Sequence, residues 1–194
     1  MRDVFLNTQK SKSEYLRFIN LCRAGDEFRL TQKSDISPYA LCFAIFGYHL
    51  IGCTQKIYEN KRRWDILIRR ELELKRKARK HFKELNRDKP YLQLLSFSLS
   101  ALFILGTLKD KPLAKEVQEL IPDDIESELE QSGALAGKPR SGNHAMFMFI
   151  MLQHAKEYLG MHVDDHIKNW QKLHVNFMNE FGFWGKFDSM SHLQ

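Results

Sequence analysis

The chain has 194 residues, 43% of them hydrophobic and 28% charged, with a formal net charge of +6. That is enough chain for one domain with a real core, and the balance is ordinary for a folded globular protein, which argues against disorder. The three cysteines, Cys22, Cys42 and Cys53, are odd in number and form no CxxC pair, which speaks against a disulfide framework or a zinc knuckle and for reduced thiols in a cytoplasmic setting.

The opening MRDVFLNTQKSKSEY carries charge where a secretory signal needs an apolar run, so export by that route is not expected. Residues 1–11 read as a frayed end, with Ser11 or Ser13 capping a short helix through about Cys22 that ends at Gly25. Tyr15, Phe18, Ile19 and Cys22 give that helix one apolar face. Residues 26–36 read as a connection without a strong period. Ser37-Pro38 then opens an apolar helix, YALCFAIFGYHLIG, nonpolar nearly all round and therefore buried on most sides.

The next helix, about Lys56 to Asn86, is the most charged element. From Lys56 to Lys89 there are 14 Lys or Arg against 6 Asp or Glu, a local +8 that exceeds the +6 of the whole chain and leaves the remainder slightly acidic. Trp64, Leu67, Ile68, Leu72, Leu74 and Phe82 mark its buried side, and Glu71 with Lys75 and Glu73 with Lys77 are spaced as stabilising i,i+4 pairs. Lys89-Pro90 starts a second apolar helix that Gly106 stops. Tyr91 to Leu108 holds 18 residues without a charge, the lower edge of a spanning length. Its serines, Gln93 and Thr107 make it polar for a lipid-facing helix, so a membrane role is not expected.

Residues 112–120 read as a short helix, and Pro122 as the opening of another through Gln131, with Asp123 and Asp124 at its positive end. A breaker-rich loop, residues 133–142, leads into a third apolar helix that begins at Asn143-His144 and stops at Gly160. Asp164 or Asp165 caps a last helix whose stripe is Ile167, Trp170, Leu173, Phe177 and Phe181. The aromatic tail from Gly182, with Phe183, Trp184 and Phe187, folds back on the core in this reading.

The three apolar helices repeat one plan. Their starts, Ser37-Pro38, Lys89-Pro90 and Ser141-Gly142, lie 52 residues apart, and their stops, Gly52, Gly106 and Gly160, lie 54 apart. Glycine at a helix end supplies the positive φ that closes it, and proline in a first turn loses no hydrogen bond. Fixed periods of this length indicate tandem helical hairpins. The expected fold is therefore all-α, a single domain over 1–194. It comprises an N-terminal helix and connection (1–36), about three hairpins of an apolar inner and a polar outer helix (37–185), and a tail (186–194).

In architecture, the rhythm from about Ser37 to Gly185 resembles part of an α/α toroid, as in terpenoid cyclases and in polysaccharide lyases or glycoside hydrolases. The resemblance implies a central cavity facing the loop ends of inner helices. Three hairpins make half of the usual ring, and a homo-oligomer is one way to complete it. No catalytic motif of those families can be placed on this chain.

Candidate chemistry gathers in two places. Arg140, Ser141, Asn143 and His144 sit where a loop meets an inner helix, and Arg140 with first-turn amides could bind an anion; the competing reading makes Ser141 a cap and His144 a buried partner for a carbonyl. Asn143 and His144 are the catalytic candidates if the chain is an enzyme. On the basic helix, Arg76, Lys77, Arg79, Lys80 and Lys83, with Lys75, could neutralise nucleic-acid phosphates, although few aromatics interleave with them for base stacking. Arg76 and His81 form an Arg-x4-His match that resembles the RNase motif of HEPN domains, with Lys77 where those proteins carry a small polar residue.

His162 and His166 have i,i+4 metal-ligand spacing, but His162 falls before the last helix, and no metal or cofactor is expected. Asp123-Asp124 and Asp164-Asp165 resemble the acidic motif of prenyl-diphosphate enzymes, with Ser127 and Lys168 where its last acid belongs. No nucleophile, base and orienting group converge at recognisable spacing. The first reading is thus a non-enzymatic helical binding or interaction protein with a polar groove near residues 138–144. The alternatives are an enzyme on a glycan or similar polar polymer, and phosphate-backbone binding through residues 56–87.

Overall fold

Proline and glycine set the ends of the apolar helices before any packing is considered. A computed structural model describes residues 2–79, 89–109, 111–136, 141–178 and 180, without the side chains of residues 2–8, 79, 111 and 141. Among them the chain forms eight helices and one short antiparallel hairpin, an all-α fold. The helices are α1 (Arg2–Cys22), α2 (Pro38–Leu50), α3 (Thr54–Arg79), α4 (Lys89–Leu105), α5 (Lys111–Leu120), α6 (Ile125–Ser132), α7 (Ser141–Leu159) and α8 (Asp164–Phe177). The strands are β1 (Arg23–Ala24) and β2 (Glu27–Phe28).

The three predicted stops hold. Gly52, Gly106 and Gly160, past the ends of α2, α4 and α7, have φ of 71°, 64° and 67°, the left-handed conformation a side chain resists. Beyond the first two, the amides of Cys53 and Thr107 reach back to the carbonyls of Tyr48 and Leu102 at 2.8 and 3.0 Å and close the turn.

The chain divides into two compact units, Met1–Leu74 with Ser100–Thr107, and Lys75–Leu99 with Leu108–Gln194. In the first, Trp64 of α3 is buried against Tyr48 of α2, stacked at 5.9 Å, and against Phe28 of β2, edge-on at 5.9 Å. Buried Ile57, Trp64, Ile68 and Leu72 make one stripe at helical spacing along α3. Gly47 of α2 admits Tyr15 of α1 where a Cβ would strike the ring. In the second, α7 packs against α5, α6 and α8. Trp170 of α8 donates from Nε1 to the Ala145 carbonyl of α7 at 3.2 Å and stacks on Phe149 at 4.3 Å.

Several local expectations are corrected. Helix α1 begins at Arg2, and Ser13 lies inside it, bonding back to the Lys10 carbonyl at 2.8 Å instead of capping a helix start. The supposed connection after Gly25 contains β2, since Gly25 (φ 66°) and Asp26 form a two-residue hairpin turn. Leu74 is exposed, lying two residues past Leu72 and so on the far side of α3. Glu71 is bound by Arg70 at 3.0 Å. Helix α6 starts after Asp124, whose side chain accepts from the Glu126 amide at 3.0 Å, and not at Pro122. Val163 precedes α8, and Asp164 begins it while pairing with Lys156 at 2.6 Å. Phe177 is exposed, and Phe82, Phe181, Phe183, Trp184 and Phe187 lie outside the described residues.

Among the described residues no helix is long and apolar enough to cross a membrane. In α4 the Ser96 hydroxyl is buried and donates to the Leu92 carbonyl at 2.7 Å, as a serine does inside a protein core.

A Cβ at residue 160 would meet nothing within 4 Å, so Gly160→Ala carries backbone strain alone. The expected loss is about 1 kcal/mol in a denaturant titration, with Gly160→Asn losing less because asparagine tolerates the left-handed region. An alanine variant of unchanged stability would contradict this account of the stop.

Candidate functional site

Burial decides which polar groups remain available. The His144 and Glu128 side chains retain 2% and 6% of their exposure, and Nε2 of His144 donates to Oε1 of Glu128 at 3.0 Å. Glu128 is on α6, held in place by the Asp124 cap, and His144 is in the first turns of α7. The Nδ1 of His144 is buried with no hydrogen-bond partner among the described residues. A buried carboxylate is expensive unless it is hydrogen-bonded, so this pair joins α6 to α7.

A second polar point in the same unit is His154 of α7, which stacks on Tyr158 at 4.8 Å. Burial lowers its pKa from 6.5 to about 4, against a weaker upward pull from its hydrogen bond to the Ser96 backbone. His174 of α8 stacks on Trp170 at 5.1 Å and is also lowered by burial.

The first unit carries a groove of different character. A cavity of about 100 Å³ opens between α1, β2 and α2, with Phe18, Ile19, Phe28, Leu30 and Phe43 among its walls and Arg29 as its cation. Phe18, Leu30 and Phe43 are 49%, 46% and 42% exposed, which makes an apolar rim. Ile36, also exposed, is bridged to Arg29 across an antiparallel pair, so both side chains leave the same face. Tyr15, at the inner wall, has its phenol pKa raised by burial.

The charges around this hairpin are unevenly used. Its acids are held by α3: Asp26 pairs with Arg63, and Glu27 with Arg70 at 2.9 Å. Its arginines, Arg23 and Arg29, form no ion pair among the described residues. Arg23 donates to the Gly25 carbonyl at 2.7 Å, and Arg29 to the Gln32 carbonyl at 3.5 Å, the outer limit of such a bond.

Of the residues singled out in the sequence, Arg140, Lys80, His81 and Lys83 lie outside the described residues. Ser141 and Arg79 are helical, but their side chains lie outside too. Asn143 is half-buried, and His144 is buried and committed to Glu128 instead of a backbone carbonyl. Lys75, Arg76 and Lys77 are exposed on α3. His162 precedes α8, so it shares no helical face with His166.

The groove was missed because its walls come from three elements, none of which is unusual by itself. The signal that could have revealed it was the Gly25-Asp26 turn, which places Phe28 and Leu30 beside the apolar face of α1. Glu128 was missed because it is one of three glutamates on the short α6, with Glu126 and Glu130, and nothing in the sequence marks it as the buried one. Comparison with protein-family models, with curated proteins and with solved structures finds no match for the chain.

Removing His144 leaves the Glu128 carboxylate buried without that donor. His144→Ala is expected to lose about 3 kcal/mol in urea unfolding, whereas Glu128→Gln, which can still bond the imidazole, loses nearer 1 kcal/mol. A His144→Ala protein of wild-type stability would remove the core role. For His154 the pH sign follows from its lowered folded-state pKa: between 6.5 and about 4 the unfolded chain takes up a proton the folded chain refuses. Stability is therefore full above pH 6.5 and falls on acidification, by about 2 kcal/mol from pH 7 to pH 5. His154→Gln should flatten that slope, and an equally steep variant would exclude this histidine as the cause.

Proposed function

We propose that this chain is a helical interaction protein that works by docking and not by catalysis, with the groove of its first unit as the working surface. One observation carries the reading: Phe18, Leu30 and Phe43 are left about half exposed around a cavity, although the same unit buries Trp64, Tyr48 and Phe28 completely. Contiguous exposed apolar surface of this kind marks interaction sites on folded proteins.

The polar groove proposed near residues 138–144 has less support. His144 is spent on Glu128, and residues 138–140 lie outside the described residues. The same burial weighs against the glycan-enzyme reading, since a general base has to reach its substrate. Phosphate binding through α3 keeps exposed Lys75, Arg76 and Lys77, but Arg63, Arg69 and Arg70 of that helix are engaged with Asp26, Asp65 and Glu27. The toroid-like arrangement of three hairpins stays part of the proposal, supported by the equal intervals between starts and between left-handed stops.

Nile red, a neutral apolar dye, tests the groove without involving charge. The folded protein should enhance its emission saturably, and Phe18→Asp or Leu30→Asp, both at exposed positions, should weaken binding at least tenfold while leaving the melting temperature within a few degrees. No enhancement, or enhancement indifferent to both variants, would reject the groove as a binding surface.

A further inference from the structure

The cavity is too small to be the whole site. At about 100 Å³ it has room for roughly one aromatic ring or a branched aliphatic side chain, since an engineered cavity of about 150 Å³ holds one benzene. The apolar rim of Phe18, Leu30, Phe43 and the adjoining Ile36 continues outside it. A small molecule that filled the cavity would leave this rim in water. A partner that inserts one anchor side chain and lays further apolar residues along the rim would cover both.

The walls also bear on the partner's shape. Two sides of the groove are helices, α1 and α2, whose side-chain ridges run at i and i+4, and a third helix fits such a channel by setting its own ridge between them. Strand addition is less well served, because beyond β2 the chain already pairs Arg29 with Ile36.

Charge supplies the last constraint. Asp26 and Glu27 are neutralised by arginines of α3, so the hairpin offers Arg23 and Arg29 without a carboxylate partner among the described residues, and Arg29 stands in the wall of the groove. An exposed guanidinium beside an apolar pocket is suited to a carboxylate flanking an apolar anchor, which it can hold by two parallel hydrogen bonds. We infer that this groove docks an acidic amphipathic helix of a partner protein, one large apolar side chain entering the cavity and a neighbouring carboxylate pairing with Arg29. The inference rests on the groove being the working surface and adds the chemistry of its occupant.

Two labelled synthetic helical peptides with the same Phe and Leu face, one with glutamates and one with lysines at its polar positions, test it by fluorescence anisotropy. The acidic peptide should bind the intact protein at least about tenfold more tightly than the basic one, Arg29→Glu should abolish or invert that preference, and Phe18→Asp should weaken both. If Nile red binds but the acidic peptide does not, or the two peptides bind alike, the acidic-helix inference is overturned while the groove survives. If Nile red also fails to bind, the groove itself is rejected.

Discussion

An apolar helix enclosed by other helices has to satisfy its polar atoms internally, and the second unit is organised by that requirement. Helix α7 is covered by α5, α6 and α8, so its first-turn histidine has no route to water and takes a carboxylate from α6. The Ala145 carbonyl, one residue on, receives the indole of Trp170 from α8. Two neighbouring residues of α7 thus fix two different helices, and each bond is made where water cannot compete with it. The pair that looks like catalytic equipment in a residue inventory is better explained as the joint of this unit.

The first unit places its charged pairs at the surface instead. Trp64 is wrapped by Tyr48 and Phe28, which brings the hairpin against α3 and lets Arg63 and Arg70 reach the two acids at its turn. On the same helix, Arg69 donates to the Thr107 carbonyl at 2.7 Å, just past the left-handed Gly106, while also holding Asp65. Exposed pairs of this kind contribute little stability singly, but several on one helix select the placement of the hairpin. Phe28 of that hairpin also lines the cavity, together with residues of α1 and α2.

The helix ends were legible in the sequence because they depend on backbone chemistry within a few residues. Pro38 begins α2 and Gly52, Gly106 and Gly160 end their turns without help from tertiary structure. The buried stripe of α3 was legible through Trp64, Ile68 and Leu72, and failed at Leu74, where hydrophobic identity was given more weight than angular position. The hairpin was illegible because strands of two residues show no alternation. Of the candidate site, His144 could be picked out but its partner could not, since Glu128 is 16 residues away on a separate helix. The groove needed three elements in space, and only Phe18 and the α1 face pointed toward it.

The basic helix shows how a charge count can mislead about a partner. A local excess of +8 over residues 56–89 suggests a long phosphate-binding face. Yet Arg63, Arg69 and Arg70 turn toward Asp26, Asp65 and Glu27, and their planar, bidentate heads are well matched to carboxylates. By drawing the hairpin's acids to themselves they leave Arg23 and Arg29 as the hairpin's uncompensated charge. Arg29 is thus the cation in the wall of a groove whose other residues are mostly apolar. The proposed partner, with acids beside apolar anchors, would meet that charge faster, while the apolar contacts would set its residence time.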